Sequence, residues 1–348
     1  MSRIKVSVLM GGSSAERDVS LSTGKQILNA LDPNKYIVSA IDTATGNRLL
    51  PAAQTADGRL MPVVSLTADV HALTPMDGGA AIEALPELSR VRSEDKPDVV
   101  FIALHGPGGE DGTVQGMLEV LGIPYTGSGV LASALAMDKV MSKRVLTGAG
   151  VLMPAGETVR RGRPIDWEML RTLPMPVIVK PSAQGSTFGV TRVTDPDQLE
   201  AAVETAFEYD SAALIEQFVV GTEITVPVIG NTELDILPIV EIVPASGFYD
   251  FAAKYTPGAT DEIVPARLSE SIAAEARRIA ALCHETLGCR GMSRTDMIVT
   301  EDGAIYTLET NTIPGMTTTS LLPRSAQAAG IAFPKLLDRL IELALEPR

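Results

Sequence analysis

The chain has little cysteine: two residues in 348, Cys283 and Cys289. Two thiols cannot build a disulfide framework, which excludes a small stapled scaffold and suits a reducing compartment. The pair is also too sparse for a zinc site and is read as one cysteine near a helix end and one near a strand start. Long apolar runs are missing. No window reaches the roughly 18 residues of a membrane span, and the apolar stretch from Ile4 to Met10 is too short for a signal sequence and has no cleavage site after it. The expectation is a cytoplasmic protein with no membrane partner. Positive charge is scarce as well: 29 Lys and Arg stand against 43 Asp and Glu, for a net charge of −14. That balance lacks the basic footprint of a nucleic-acid binder, so any nucleotide must be held by a few placed cations. Internal repeats and low-complexity tracts are absent too.

What is present is an ordinary globular composition, 45% hydrophobic and 21% charged. The length suits two or three domains. Ile4–Met10 alternates and is β-branched, so it reads as a strand. It runs into the turn Gly11-Gly12-Ser13-Ser14 and a helix over 16–30, the opening of a βαβ unit. Residues 43–97 are broken repeatedly by Pro, Gly, Asp and Thr and give only loops and short elements. A buried strand over 98–104 ends in the glycine-rich loop His105–Gly112, and helices follow over 113–121 and on through about 149. A second unit starts with a strand over 174–180. Behind it come the segment Pro181–Gly189, a helix over 196–209, and strands over 213–218 and 223–229. The stretch 244–265 reads as a long polar loop, of the kind that often serves as a lid. A helix over 269–286 and strands over 292–299 and 304–308 complete the pattern.

Four groups of residues carry chemistry. Glu309 and Asn311, two apart at a strand end, share a face, and the hairpin turn Glu301-Asp302-Gly303 brings Asp296 beside them. Three hard oxygen ligands suit magnesium, although the same spacing also fits a solvated strand with scattered acids. Gln184–Gly189 follows Lys180 closely and can offer backbone N–H groups to phosphate, or be a plain hairpin turn; it is not a Walker loop. Lys139 and Lys180 are candidate phosphate donors or surface lysines. Glu216-Gln217-Phe218-Val219 ends an apolar strand before Glu223 and can present backbone to a base edge, or be an ordinary strand. His105 lies at the C-terminal end of a strand, where ligands bind open α/β sheets, with a structural histidine as the alternative.

These pieces together resemble the D-alanine–D-alanine ligases of the ATP-grasp superfamily. The resemblance runs from Lys5 to about Glu342. It is carried by Gly11–Ser20, Leu104–Gly112, Tyr125–Gly129, Met137-Asp138-Lys139, Val179–Ser182, Phe248–Tyr255 and Leu308–Pro323. It implies an α/β (α+β) chain with an ATP-grasp fold behind an N-terminal βαβ domain: residues 1–125 for substrate, 126–212 and 213–348 for the two ATP-grasp lobes. It implies ATP-dependent ligation of two D-alanine molecules through an acyl phosphate, for peptidoglycan synthesis, in a homodimer.

By that likeness Lys139, Lys180, Glu216, Phe218, Val219 and Glu223 hold ATP. Asp296, Glu309 and Asn311 hold two magnesium ions, or manganese in their place. Arg294 and the Gly315 N–H stabilise the oxyanion. Glu16 and His105 take the first D-alanine, and Lys254, Ser320 and Leu321 take the second. Glu16, Ser186 and Tyr255 join to latch the lid. The alternatives are a ligase for another second substrate, D-lactate or D-serine, and a nucleotide-binding homologue without catalysis.

Overall fold

A computed structural model describes residues 3–44, 48–49, 96–185, 187–245 and 258–348. Ser186, Lys254 and Tyr255, and most of the expected lid, lie outside the described residues. The described residues form two compact units, drawn from Met1–Val130 with Gly315–Arg348 and from Leu131–Pro314. Among them no helix is long and apolar enough to cross a membrane.

In the first unit β1 (Ile4–Met10), α1 (Arg17–Ala30), β2 (Tyr36–Asp42), β3 (Arg48–Leu49) and β4 (Val99–Ile102) build a sheet of order β3-β2-β1-β4. β1 pairs in parallel with both β2 and β4, which is the expected βαβ opening. The last five residues of β1 are all buried, because a parallel sheet is covered on both faces. Gly11 follows β1 with φ +81°, and a Cβ there would lie 2.2 Å from Asp42 Oδ1. Only glycine fits that turn. Arg17 locks it by donating to both Asp42 oxygens, at 2.8 and 2.6 Å, and to Gly12 O at 3.1 Å. α2 (Thr113–Val120) follows the His105 loop.

α3 (Val130–Met137) and α4 (Lys139–Gly148) lead into the second unit. Asp138 caps α4 by accepting from the Val140 and Met141 N–H groups, the ordinary remedy for a helix's unpaired first donors. A four-stranded antiparallel sheet comes next, with β5 (Gly156–Arg160), α5 (Trp167–Leu170), β6 (Val177–Pro181), β7 (Thr191–Val193), α6 (Leu199–Phe207) and β8 (Ala212–Gln217), in the order β5-β8-β6-β7. Val177, Val179, Val193, Ile215 and α6 share its core. The helix expected over 196–209 opens instead with a 3-10 turn at Pro196–Gln198.

The second sheet contains β9 (Thr222–Gly230), β10 (Leu234–Ile236), β11 (Val240–Pro244), β12 (Thr260–Ile263), β13 (Gly291–Val299) and β14 (Ile305–Asn311). Its order is β12-β11-β9-β13-β14, with β10 on β9. Part of the segment expected as loop over 244–265 is therefore strand: Val243 pairs with Asp261 and Glu241 with Ile263. Alternation in Thr-Asp-Glu-Ile is too polar and too short to read as a strand without its partner. α7 (Glu270–Leu287) packs on this sheet through Ala273, Ala276, Ile279, Ala280, Cys283 and Leu287, against Ile224, Val226 and Val228 of β9. Ser269 caps it and Gly288, at φ +72°, ends it. Both cysteines are free and buried, and burial pushes the Cys283 thiol up to about 12. α8 (Leu321–Ala328) and α9 (Phe333–Leu345) belong to the first unit, with α9 against α1 and β4.

Candidate active site

The second unit encloses a cavity of about 410 Å³ whose walls come from both of its sheets. Strand periodicity supplies its lining. In β6, Val177 and Val179 turn to the core while Ile178 and Lys180 face the cavity; β9 contributes Glu223, and β13 contributes Asp296 and Ile298. Its apolar lining includes Ile178, Phe218, Val219, Ile298 and Leu308. Arg192 lies over the Phe218 ring, 4.3 Å from its centre. The turn before β9 passes so close to β13 that a Cβ on Gly221 would lie 2.2 Å from Val299 O.

Among the polar lining residues cations and carboxylates converge. Glu216, 4% exposed, pairs through Oε1 with Lys143 Nζ and through Oε2 with Lys180 Nζ, each at 2.6 Å. Burial works against both charges, yet the pairing prevails. The Lys180 ammonium is held above its ordinary pKa by Glu216, with a further contribution from Glu309. The Glu216 carboxyl is held below the usual carboxylate range by Lys180 and Lys143. Removing one partner from such a buried pair typically costs about 3–5 kcal/mol. Lys139 Nζ donates to Gln184 O at 2.6 Å and pairs with Glu309 Oε2 at 3.1 Å. Its backbone N–H reaches Ser182 O, and Ser182 Oγ donates to Asp138 Oδ1 at 2.7 Å. The end of β6 is thus stapled to the start of α4, which is why Lys139 and Lys180 open into one cavity.

Arg294, Asp296, Glu309 and Asn311 share one face of the β13–β14 pair, where Arg294 lies opposite Asn311 and Asp296 opposite Glu309. Arg294 donates to Asp296 Oδ1 from Nε at 3.0 Å and to Oδ2 from Nη2 at 2.9 Å. Asn311 Nδ2 donates to Asp296 Oδ2 at 3.1 Å, and the Thr225 hydroxyl donates to Oδ1. The strand expected to stop at 308 continues to Asn311, so Glu309 lies within it and Asn311 at its end. A bulge sits between Asp296 and Met297, whose partners are Glu309 and Thr307. Leu308 is the extra residue, and both Leu308 and Glu309 face the cavity.

Among the described residues no group of three or more His, Cys, Asp or Glu could hold a metal by itself. The set here is two carboxylates and an amide that can turn its oxygen inward. This donor chemistry fits magnesium, which keeps water and phosphate oxygens among its six ligands and takes few from protein.

In the first unit Glu16 stands just before α1, and a Cβ on Gly106 would lie 3.0 Å from its Oε2. Ser14 Oγ donates to His105 O at 2.7 Å, and His105 Nε2 lies 3.4 Å from Thr23 Oγ1. Glu16 and His105 are therefore neighbours. Gly315 and Ser320 are neighbours as well: a Cβ on Gly315 would lie 2.9 Å from Ser320 Oγ. Ser320 Oγ receives the Thr317 N–H at 3.1 Å and lies 2.7 Å from Thr317 Oγ1, and Leu321 beside it is buried. The sequence reading missed Lys143, Arg192 and Thr225. Lys143 had a signal, standing four residues after Lys139 on one helix face; Arg192 and Thr225 had none.

Two antiparallel sheets clasping one cavity, with lysines from both a helix and a strand in its lining, define the ATP-grasp fold. Two family models cover most of the chain, "D-ala D-ala ligase N-terminus" over residues 5–128 and "D-ala D-ala ligase C-terminus" over 154–342. The chain belongs to the D-alanine–D-alanine ligase family. It is 47% identical over 347 residues to the D-alanine–D-alanine ligase of Syntrophobacter fumaroxidans, covering 99% of this chain and 98% of that one. It is 41% identical to that of Moorella thermoacetica, covering 99% and 100%. Among solved structures it resembles the Bacillus anthracis ligase complexed with ATP, with TM-score 0.77 and 34% identity over 98% and 97% of the two chains. It also resembles the VanG D-Ala:D-Ser ligase from Enterococcus faecalis, with TM-score 0.74 and 31% identity over 99% and 100%.

Proposed function

We propose that the chain joins two D-alanine molecules into D-alanyl-D-alanine at the expense of ATP, for peptidoglycan synthesis, as a cytoplasmic homodimer. The observation that carries this is the cavity of the second unit, lined by apolar side chains together with Lys139, Lys180, Glu216, Asp296 and Glu309, in a chain of this family. The nucleotide base lies against Phe218, Val219, Ile298 and Leu308, with Glu223 for the ribose. Lys139 and Lys180 take the phosphates, with the loop at Gln184–Gly189 beside them. Asp296, Glu309 and Asn311 hold magnesium, which neutralises charge on the transferred phosphoryl group when bound. Residues 1–125 serve substrate, and the two lobes over 126–212 and 213–348 serve ATP and metal.

The first D-alanine carboxylate attacks the γ-phosphorus and ADP leaves. The second D-alanine, its amine free of the extra proton, attacks the acyl carbonyl, and inorganic phosphate leaves. Arg294 and the Gly315 N–H steady the oxyanion between those events. Glu16 and His105 receive the first D-alanine; Ser320, Leu321 and Lys254 receive the second. Ser186 and Tyr255 close the site with Glu16, and closure keeps water from the acyl phosphate.

Phosphate release from ATP is to be measured with single D- and L-amino acids, with mass spectrometry of the product. D-alanine alone should support turnover and yield the dipeptide. Release with D-alanine plus D-serine that exceeds D-alanine alone, yielding only the mixed product, would reject D-alanine as the second substrate. In competition with D-lactate the dipeptide should dominate at and above neutral pH, with depsipeptide confined to lower pH. Mainly D-alanyl-D-lactate at pH 8 would overturn D-alanine as the second substrate.

A further inference from the structure

Lys139 and Lys180 line the cavity, whereas Lys143 stands behind the wall and meets it through Glu216 and Pro154. Its ammonium makes two contacts, to Glu216 Oε1 at 2.6 Å and to Pro154 O at 2.5 Å. It is thereby pinned, while Glu216, Lys180 and Pro154 line the cavity itself. Lys180 has Glu216 as its ion-pair partner. One carboxylate between two ammonium groups leaves the cluster with a net charge of about +1. That surplus belongs to whichever lysine is free to leave.

Lys139 and Lys143 lie four apart on α4, so the helix hands one lysine to each of two acids, Lys139 to Glu309 and Lys143 to Glu216. Lys180 comes from β6, next to the candidate phosphate loop. If Lys180 turns toward a phosphate oxygen, Glu216 keeps Lys143 and remains a compensated pair. Without Lys143 the same movement would strand a buried carboxylate, which is costly, and Glu216 would compete with phosphate for Lys180.

We propose that Lys143 is a positioning residue: it is the standing counter-ion of Glu216 and so releases Lys180 to the phosphates of an incoming nucleotide. The proposal rests on the nucleotide reading above and deepens it. Lys143 touches no nucleotide atom in this account; it acts through Glu216.

The experiment is a double-mutant cycle read by calorimetric titration of the full chain with Mg-ADP and, separately, with adenosine. Lys143→Met should weaken Mg-ADP binding about tenfold or more, while adenosine, which has no phosphate to draw Lys180 away, should bind wild type and variant within about twofold of each other. Lys143→Arg, which keeps the cation, should stay close to wild type. On a Glu216→Gln background, where no carboxylate remains to be stranded, Lys143→Met should cost about twofold or less. Equal Mg-ADP binding by wild type and Lys143→Met would overturn the proposal. So would an undiminished loss on the Glu216→Gln background, or an equal loss for adenosine, since each would mark a merely structural lysine. Wild type that binds neither probe would instead reject the nucleotide reading. If Lys143→Met does not fold, Lys143→Gln enters the same cycle with the same outcomes.

Discussion

Glu16, His105, Gly315 and Ser320 of the first unit sit in loops or at helix starts, whereas Lys180, Glu216, Glu223, Arg294, Asp296, Glu309 and Asn311 of the second ride on strands. The supports differ accordingly. The loop between Gly315 and α8 is tied by single bonds, Thr317 N–H to Ser320 Oγ and Thr318 N–H to Gln26 Oε1 at 2.8 Å. The strand-borne groups are spaced by backbone ladders that cannot shift one side chain without its neighbours. Chemistry that must place charge within fractions of an ångström belongs on such a frame. Recognition of a small amino acid tolerates a looser mount. A substitution on the strands should therefore strike turnover, and one on the loops should strike substrate affinity.

The largest effect is expected at Glu309. Glu309→Gln should lower kcat by about 100-fold or more with an unchanged melting temperature, because it removes one negative ligand and the partner of Lys139 while keeping size and shape. Turnover with excess EDTA and no added magnesium should fall equally far. Wild-type activity under either condition would break the comparison at its stronger side.

The next effect concerns what stands behind the strands. His284 of α7, 1% exposed, holds Ser293 of β13 through Nδ1 at 2.8 Å. Burial pushes its imidazole pKa from 6.5 down to about 4. The unfolded chain takes up a proton below pH 6.5 that the folded chain refuses until about pH 4. Stability held by the neutral ring is intact above that window and drains away as pH falls through it, by about 3 kcal/mol in all. Melting curves from pH 7 to pH 4 should fall more steeply for wild type than for His284→Gln. Parallel curves would mean the ring is protonated in the fold.

The smallest effect is expected on the loops. Ser320→Ala should raise KM for the acceptor amino acid about tenfold, near 1.4 kcal/mol, and leave kcat within about twofold. A kcat loss as large as that of Glu309→Gln would erase the distinction between strand and loop.

Legibility followed the same division. The spacing of Glu309 and Asn311 and the hairpin turn made Asp296, Glu309 and Asn311 readable as one group, whereas Val177-Ile178-Val179-Lys180 has no polar alternation to say which face Lys180 takes. The length of β14 was not readable, because Glu309-Thr310-Asn311 is as polar as any loop and becomes strand only through its ladder with β13. β12 was hidden for the same reason. The glycine turns were visible as turns, but nothing in the chain said that Glu16 would stand beside Gly106. Lys143 stood four residues from Lys139 in the sequence, but its partner, the buried Glu216, became visible only in the fold.

Leu308 has a consequence of another kind. Before it, Ile305 and Thr307 are the buried residues of β14; after it, the buried one is Thr310. One additional residue has switched the parity of the strand. Were the bulge straightened with Leu308 kept, Glu309 and Asn311 would fall into step with Ile305 and Thr307 and point at α7. Without Leu308 the strand would run regularly from Thr307 to Glu309, and Glu309 and Asn311 would keep the cavity face. Deletion of Leu308 should therefore be better tolerated than deletion of Thr310, which would turn Glu309 or Asn311 toward the core.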